Sequence, residues 1–126
     1  MNKLVKLPAI VMSIFGVGLL VGSLVDAHTS VIESNIVNGQ VFSIAHVPGE
    51  VVLTFNEEID PLRSVIYVVK LQGRQIVDNG DLFVEENLMK ISMNALDEGV
   101  YQIHWIAITP DDAGFSENTI TFSVHF

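Results

Sequence analysis

One histidine, His28, has a sequence context that would make it a metal ligand. It follows two lysines and a long apolar run that ends in Val25-Asp26-Ala27, the small-x-small pattern that signal peptidase cleaves. Cleavage there would leave His28 as the first residue of the processed chain. A terminal histidine can chelate one metal ion through its α-amine and its ring Nδ1, whereas an internal histidine lacks the amine. The sequence therefore predicts a signal peptide over residues 1–27 and a metal-binding terminus directly after it.

The composition limits the chemistry that such a site can use. The chain of 126 residues contains no cysteine, which excludes disulfides and thiolate metal sites. Fifteen acidic side chains against six basic ones give a net charge of −9. A surface of this charge attracts cations and basic partners and repels nucleic acid and anionic lipid. We therefore expect no binding to nucleic acid and none to a lipid surface.

The apolar run has a second interpretation, because its length is close to that of a membrane-spanning helix. The leader would then stay on the protein as an anchor. Its three glycines, its basic start and its small-residue end favour cleavage. A lipid-modified terminus is excluded, since no cysteine stands at the cleavage position.

Residues 28–126, which remain after cleavage, are predicted to form one domain without a linker or an internal repeat. Their pattern predicts about seven short strands separated by turn residues, with no sustained helical periodicity. The predicted strands are 30–36, 50–56, 64–71, 81–85, 88–93, 100–108 and 119–126, and the stretch 39–46 is either a loop or a short strand. This pattern indicates an all-β fold, an immunoglobulin-like antiparallel β-sandwich with Greek-key connections. A small closed barrel is the alternative.

Period-two alternation separates core residues from surface residues along these strands. Tyr101 and Trp105 alternate with polar neighbours, so we expect both aromatic side chains in the core. His104 and His125 fall on the outward positions of their strands, where solvated side chains are expected. The acidic run 57–60 is expected to be a solvated turn.

Several motifs resemble the copper-resistance protein C (CopC) family of exported copper-binding domains. The segment 96–105, Leu-Asp-Glu-Gly-Val-Tyr-Gln-Ile-His-Trp, resembles the family's Leu-x-x-Gly-x-Tyr-x-Val-x-Trp motif. The segment 121–124, Thr-Phe-Ser-Val, resembles its closing strand. Four residues near the predicted mature start also occupy family positions: His28, Val31, Ser34 and Gly39. Ile36 departs from the pattern, since the family usually has proline there, but the resemblance covers nearly the whole mature chain.

The resemblance implies which residues would hold a copper(II) ion. The family uses the amino-terminal histidine, an aspartate six residues after the tryptophan, and a histidine two residues after that aspartate. His28 and Asp111 match the first two ligands, but Ala113 stands where the second imidazole is expected. Asp112 and His46 are the weaker candidates to complete the coordination. Without a metal, Asp111 and Asp112 would simply bond to nearby backbone amides, as aspartates in turns commonly do.

The implied function is that of a copper-resistance protein, which buffers copper or delivers it to a membrane transporter of the CopD type. The implied location is the periplasm, or the cell surface in a host without an outer membrane. Met89 and Met93 belong to a strand pattern rather than to a methionine cluster for copper(I). No catalytic arrangement can be argued, so we expect no enzyme. Because Ala113 replaces the expected histidine, the alternative is an interaction module that has kept the fold and lost the copper site.

Overall fold

The computed structural model describes residues 29–111 and 114–126, which fold into two β-sheets packed face to face. Nine strands are found in this part of the chain: β1 Val31–Ser34, β2 Gln40–Ser43, β3 Glu50–Phe55, β4 Val65–Lys70, β5 Gln75–Ile76, β6 Phe83–Glu85, β7 Leu88–Ser92, β8 Gly99–Ile108 and β9 Phe115–His125. The first sheet has the order β1-β3-β7-β6, and the second has the order β2-β9-β8-β4-β5. A short 3₁₀ helix, Ile44–His46, follows β2. No helix within the described ranges is long and apolar enough to span a membrane.

The predicted β-sandwich is confirmed, and each predicted strand has a counterpart within a few residues of its expected bounds. The stretch 39–46, left open by the sequence, contains β2, which runs parallel to β9, whereas the other paired strands run antiparallel. The preceding turn holds β2 in place, because Gly39 N–H donates to Thr121 O at 2.7 Å. In return, Thr121 N–H donates to Asn38 Oδ1 at 2.8 Å. The left-handed φ of +86° at Gly39 suits glycine at this tight turn.

The core lies between the sheets and contains both predicted aromatic residues. Tyr101 is fully buried and stacks on Phe122 from β9, with 5.4 Å between the ring centroids. Trp105 packs edge-on against Phe55 across the two sheets at 5.2 Å. Met89 and Met93 are buried in the same core. Since each large apolar side chain contributes about 1.5–3 kcal/mol when fully buried, packing of this kind stabilises a domain that has no disulfide.

The strand register defines two ends of the sandwich. At one end, which we call the loop end, Ile108 of β8 pairs with Phe115 of β9. β3 also finishes there, with Phe55 paired to Val31 at the start of β1. At the opposite end, which we call the far end, Gly99 pairs with Val124. Asp111 follows β8 at the loop end, and His46 follows β2 at the far end.

Candidate metal centre

Asp111 lies in the turn that joins β8 to β9 at the loop end, and Thr109 organises the described part of this turn. The backbone N–H of Thr109 donates to Gly114 O at 3.0 Å. In the reverse direction, Gly114 N–H donates to Thr109 Oγ1 at 2.7 Å. The buried Thr109 hydroxyl then donates its proton to Asp111 Oδ1 at 2.8 Å. The Asp111 carboxylate is therefore oriented by a hydroxyl that is itself fixed in the turn.

Arg63, from the connection between β3 and β4, braces the same turn from outside. Its Nη2 donates to the carbonyl oxygens of Thr109 and Pro110, each at 3.3 Å. Its Nε donates to Asp60 Oδ2 at 2.7 Å. The Leu62 N–H and then the Arg63 side chain, both bonded to this carboxylate, hold the pKa of Asp60 below its ordinary value. Asp60 therefore stays ionised as the anchor of the Arg63 guanidinium.

The first described residues also lie at the loop end. Ser30 N–H donates to Asn56 Oδ1 at 2.9 Å, and Asn56 N–H donates to Ser30 O at 2.9 Å. Thr29, directly before them, is only 1% exposed, and its Oγ1 has no hydrogen-bond partner within the described structure. A buried hydroxyl without a partner is uncommon, because its desolvation is uncompensated. The segment that leads out of the predicted terminus thus enters the fold at the loop end.

A shallow groove at the loop end is rich in carboxylates. It is lined by Glu57, Glu58, Thr109, Pro110 and Asp111. Glu57 and Glu58 directly follow Asn56, which is bonded to Ser30 just before β1. The two glutamates therefore lie between the start of β1 and the turn of Asp111. Oxygen donors and negative charge at one place favour a cation. Within residues 29–111 and 114–126, however, no three His, Cys, Asp or Glu side chains are close enough to hold a metal ion together.

His46 is separated from this groove by the length of the sandwich. It ends the 3₁₀ helix after β2, whose last residue, Ser43, pairs with His125 at the far end. β9 has 11 residues and spans about 35 Å at roughly 3.3 Å per residue. The structure thus places His46 and Asp111 at opposite ends of the sandwich. The cause is the parallel pairing of β2 with β9, which takes residues 44–46 away from Asp111.

Three positions of the predicted site lie outside the described residues: His28, Asp112 and Ala113. The predicted signal peptide, residues 1–27, also lies outside them. Of the four predicted metal ligands, the structure therefore describes Asp111 and His46, and it does not bring these two together.

The two other histidines occupy different surroundings. His125 is exposed, as its outward position predicts. His104 faces outward on β8 but is half-buried, because its ring stacks on Tyr67 with 4.9 Å between the centroids and 10° between the planes. Its Nδ1 and Nε2 lie at 3.2 Å and 3.1 Å from Thr119 Oγ1 and Gln102 Oε1. Alternation alone predicts the outward direction of His104 but not these partners, of which Tyr67 and Thr119 lie on neighbouring strands and Gln102 lies on β8 itself.

A protein-family model, the CopC domain, matches residues 31–125. No relative is found among the curated proteins. The fold is also found in solved structures. PcoC, a methionine rich copper resistance protein from Escherichia coli, is 19% identical, with a TM-score of 0.62 over 78% of this chain and 99% of that one. CopC from Methylosinus trichosporium OB3b is 17% identical, with a TM-score of 0.63 over 78% of this chain and 94% of that one.

Proposed function

Because the chain belongs to the CopC domain family, we propose that it binds one copper(II) ion at the loop end and buffers or delivers it. The observation that carries this proposal is the common location of two segments, the start of β1 and the turn of Asp111. His28 directly precedes Thr29 in the sequence, so a processed terminus would start beside the acidic groove. Copper(II) has the highest affinity of the common divalent metals for such nitrogen and oxygen donors.

In this proposal His28 supplies two nitrogens, the α-amine and the ring Nδ1, and Asp111 supplies a carboxylate oxygen. Asp112 or water completes the coordination in place of the imidazole that Ala113 lacks. Thr109 orients Asp111, and the glutamates of the groove add to the local negative charge. Because the amine must lose its proton, with an ordinary pKa of about 7.7–8.0, copper affinity falls as the pH decreases.

The proposal includes export and a partner. A signal peptide over residues 1–27 would direct residues 28–126 to the periplasm, or to the cell surface of a host without an outer membrane. The copper-resistance proteins that share the fold support copper as the cargo. A membrane copper transporter of the CopD type is the proposed recipient. Binding and release need no covalent step, so we propose a copper-binding protein rather than an enzyme.

A second candidate function is an interaction module that has kept the fold and lost the metal site. One observation favours it: alanine stands at position 113, where the family's second copper-ligand histidine is expected. Such a module would bind copper weakly and without dependence on its terminus.

Copper(II) titration in the presence of a competing chelator tests the two functions against each other. The processed protein, with His28 confirmed as its first residue by intact mass, is compared with a His28→Ala variant. If the protein is a copper-binding protein, its affinity for copper(II) should be submicromolar. The His28→Ala variant should lose this affinity, because it keeps the α-amine but has no ring Nδ1 to close the chelate. His125→Ala is the matched control, since this exposed histidine lies at the far end. Equally weak binding by all three proteins would contradict the proposal.

A further inference from the structure

The outer face of the second sheet is unusually apolar for an exposed surface. Its exposed side chains include Val65 at 42%, Tyr67 at 41%, Ile76 at 54% and Phe115 at 53% of full accessibility. Strand pairing places Val65 beside Ile106 and Ile76 beside Val69. Phe115 lies on the same face of β9, two residues before Glu117, which is the partner of Ile106. We call these six residues the apolar face. Polar side chains such as His104 and Glu117 interrupt this face, but exposed apolar side chains grouped in this way are typical of a surface that another molecule covers.

The outer face of the first sheet covers its exposed aromatic ring, and the apolar face does not. On the first sheet, Glu50, Thr54 and Ser92 are polar, and the exposed ring of Phe83 is covered by Lys90 Nζ at 5.1 Å. The protein therefore protects an exposed aromatic ring on one sheet with its own cation. On the second sheet, the Tyr67 ring stacks only on His104 and remains open to an incoming surface.

Two hollows flank this ring pair. One, of about 190 Å³, is lined by Tyr67 and His104 together with Glu117, and the other, of about 240 Å³, is lined by the same two rings together with Arg74. The two charged residues therefore lie on opposite sides of the Tyr67–His104 pair. Neither the Arg74 guanidinium nor the Glu117 carboxylate has a side-chain partner among the described residues.

We propose that the apolar face is the interface of a homodimer, in which two copies pack face to face around the Tyr67–His104 pair. The two-fold axis lies in the plane of the interface, passes through that pair and runs perpendicular to the line between the two hollows, so the hollows exchange places between the copies. Arg74 of each copy then faces Glu117 of the other, and the unpaired charges form two reciprocal ion pairs. A two-fold interface requires such self-complementarity. Tyr67 has the central position and the residue type that dominate interface energies.

A second copy fits this face better than a basic partner does. The chain is acidic overall, with a net charge of −9, but the apolar face carries one positive and one negative charge at its borders. A strongly basic partner would find its complement on the rest of the surface rather than here. We expect a weak dimer that forms at roughly 100 µM protein rather than at nanomolar concentration.

Sedimentation equilibrium of the purified protein, without added copper and up to about 500 µM, tests the proposal. The expected result is a reversible monomer–dimer equilibrium. Tyr67→Lys and Ile76→Lys, at exposed positions on the face, shift it to monomer. Ile32→Lys, at a residue 63% exposed on β1 of the other sheet, leaves it unchanged. Thermal unfolding of each variant confirms that it is folded.

Charge reversal tests the arrangement of the two copies. Arg74→Glu and Glu117→Arg should each weaken the dimer by about tenfold, because each places like charges opposite each other twice. The double variant should restore it. A monomer at every concentration would overturn the proposal, and the apolar face would then be a candidate binding surface for a different protein. A dimer that survives Tyr67→Lys, or that the double reversal fails to restore, would overturn it as well.

Discussion

Each end of the sandwich holds an aspartate that accepts a hydrogen bond from a hydroxyl group, but the surroundings of the two aspartates differ. At the far end, Asp97 Oδ1 accepts bonds from Lys70 Nζ at 2.8 Å and from the Tyr101 hydroxyl at 2.9 Å. These bonds, Lys70 first, hold the pKa of Asp97 below its ordinary value. At the loop end, Asp111 accepts a bond from Thr109 in a groove that it shares with Glu57 and Glu58.

The comparison separates two uses of the same side chain. Asp97, just before β8, forms an ion pair with Lys70 of β4, the neighbouring strand in the sheet, and this pair ties the start of β8 to β4. Asp111 accepts the bond from the Thr109 hydroxyl at a groove that Glu57 and Glu58 also line, and this grouping of carboxylates favours an added cation. We therefore expect substitutions at the loop end to change copper binding and substitutions at the far end to change stability.

The largest expected effect is that of Asp111→Asn on copper affinity. The amide still accepts the Thr109 hydrogen bond but no longer provides a charged ligand, so copper(II) affinity should fall by at least about 10- to 100-fold. The measurement is the chelator-competed titration, with the unfolding temperature as the test of the fold. Asp112→Asn is the matched control and should have the smaller effect. The reverse order would show that the neighbouring carboxylate is the ligand.

Thr109→Val should have the next largest effect, because it removes the hydroxyl that orients Asp111 and accepts from Gly114 N–H. The shape of the buried side chain is kept, but copper affinity should fall by about tenfold, as for other groups that position a metal ligand. Some stability, about 1–2 kcal/mol, is lost with the unpaired Gly114 N–H. Thr109→Ser keeps the hydroxyl and should retain the affinity. Equal affinity in Thr109→Val and the wild type would mean that Asp111 needs no support from Thr109.

The sequence predicts the core and the position of Asp111 better than it predicts the surroundings of Asp111. Period-two alternation identifies Tyr101 and Trp105 as core residues because burial follows directly from the pleat of a strand. The brace from Arg63 has no such signal, since it joins residues more than 40 positions apart through backbone carbonyls. Carbonyl contacts leave no trace in the residue type of Thr109 or Pro110.

His46 shows a second limit of the sequence. Its suitability as a ligand depends on which end of the sandwich it reaches, and that depends on the direction in which β2 pairs with β9. A four-residue strand is compatible with either direction, because both satisfy the same side-chain alternation. Hydrogen bonds between the Asn38–Gly39 turn and Thr121 accompany the parallel pairing, and no residue pattern predicts them.

The smallest expected effect is that of Tyr101→Phe at the far end. The ring stays in the core, but its hydroxyl no longer donates to Asp97, which should lower stability by about 1 kcal/mol and the unfolding temperature by about 4–8 °C. Copper affinity should not change. Tyr67→Phe is the matched control, because Tyr67 is 41% exposed on the outer face, and it should unfold at the wild-type temperature.

The pH dependence of the same variant tests the physical cause. Burial and then the adjacent Asp97 carboxylate raise the pKa of Tyr101 from 10.0 to about 12 in the folded protein. The neutral phenol is therefore favoured by folding, and its contribution is complete below pH 10 and lost as the pH rises toward 12. In urea titrations, the stability difference between the wild type and Tyr101→Phe should narrow over that range. A difference that stays constant with pH would mean that Tyr101→Phe lowers stability through packing alone. Asp97 would then not stabilise the fold through its bond to Tyr101, and the contrast with Asp111 would fail.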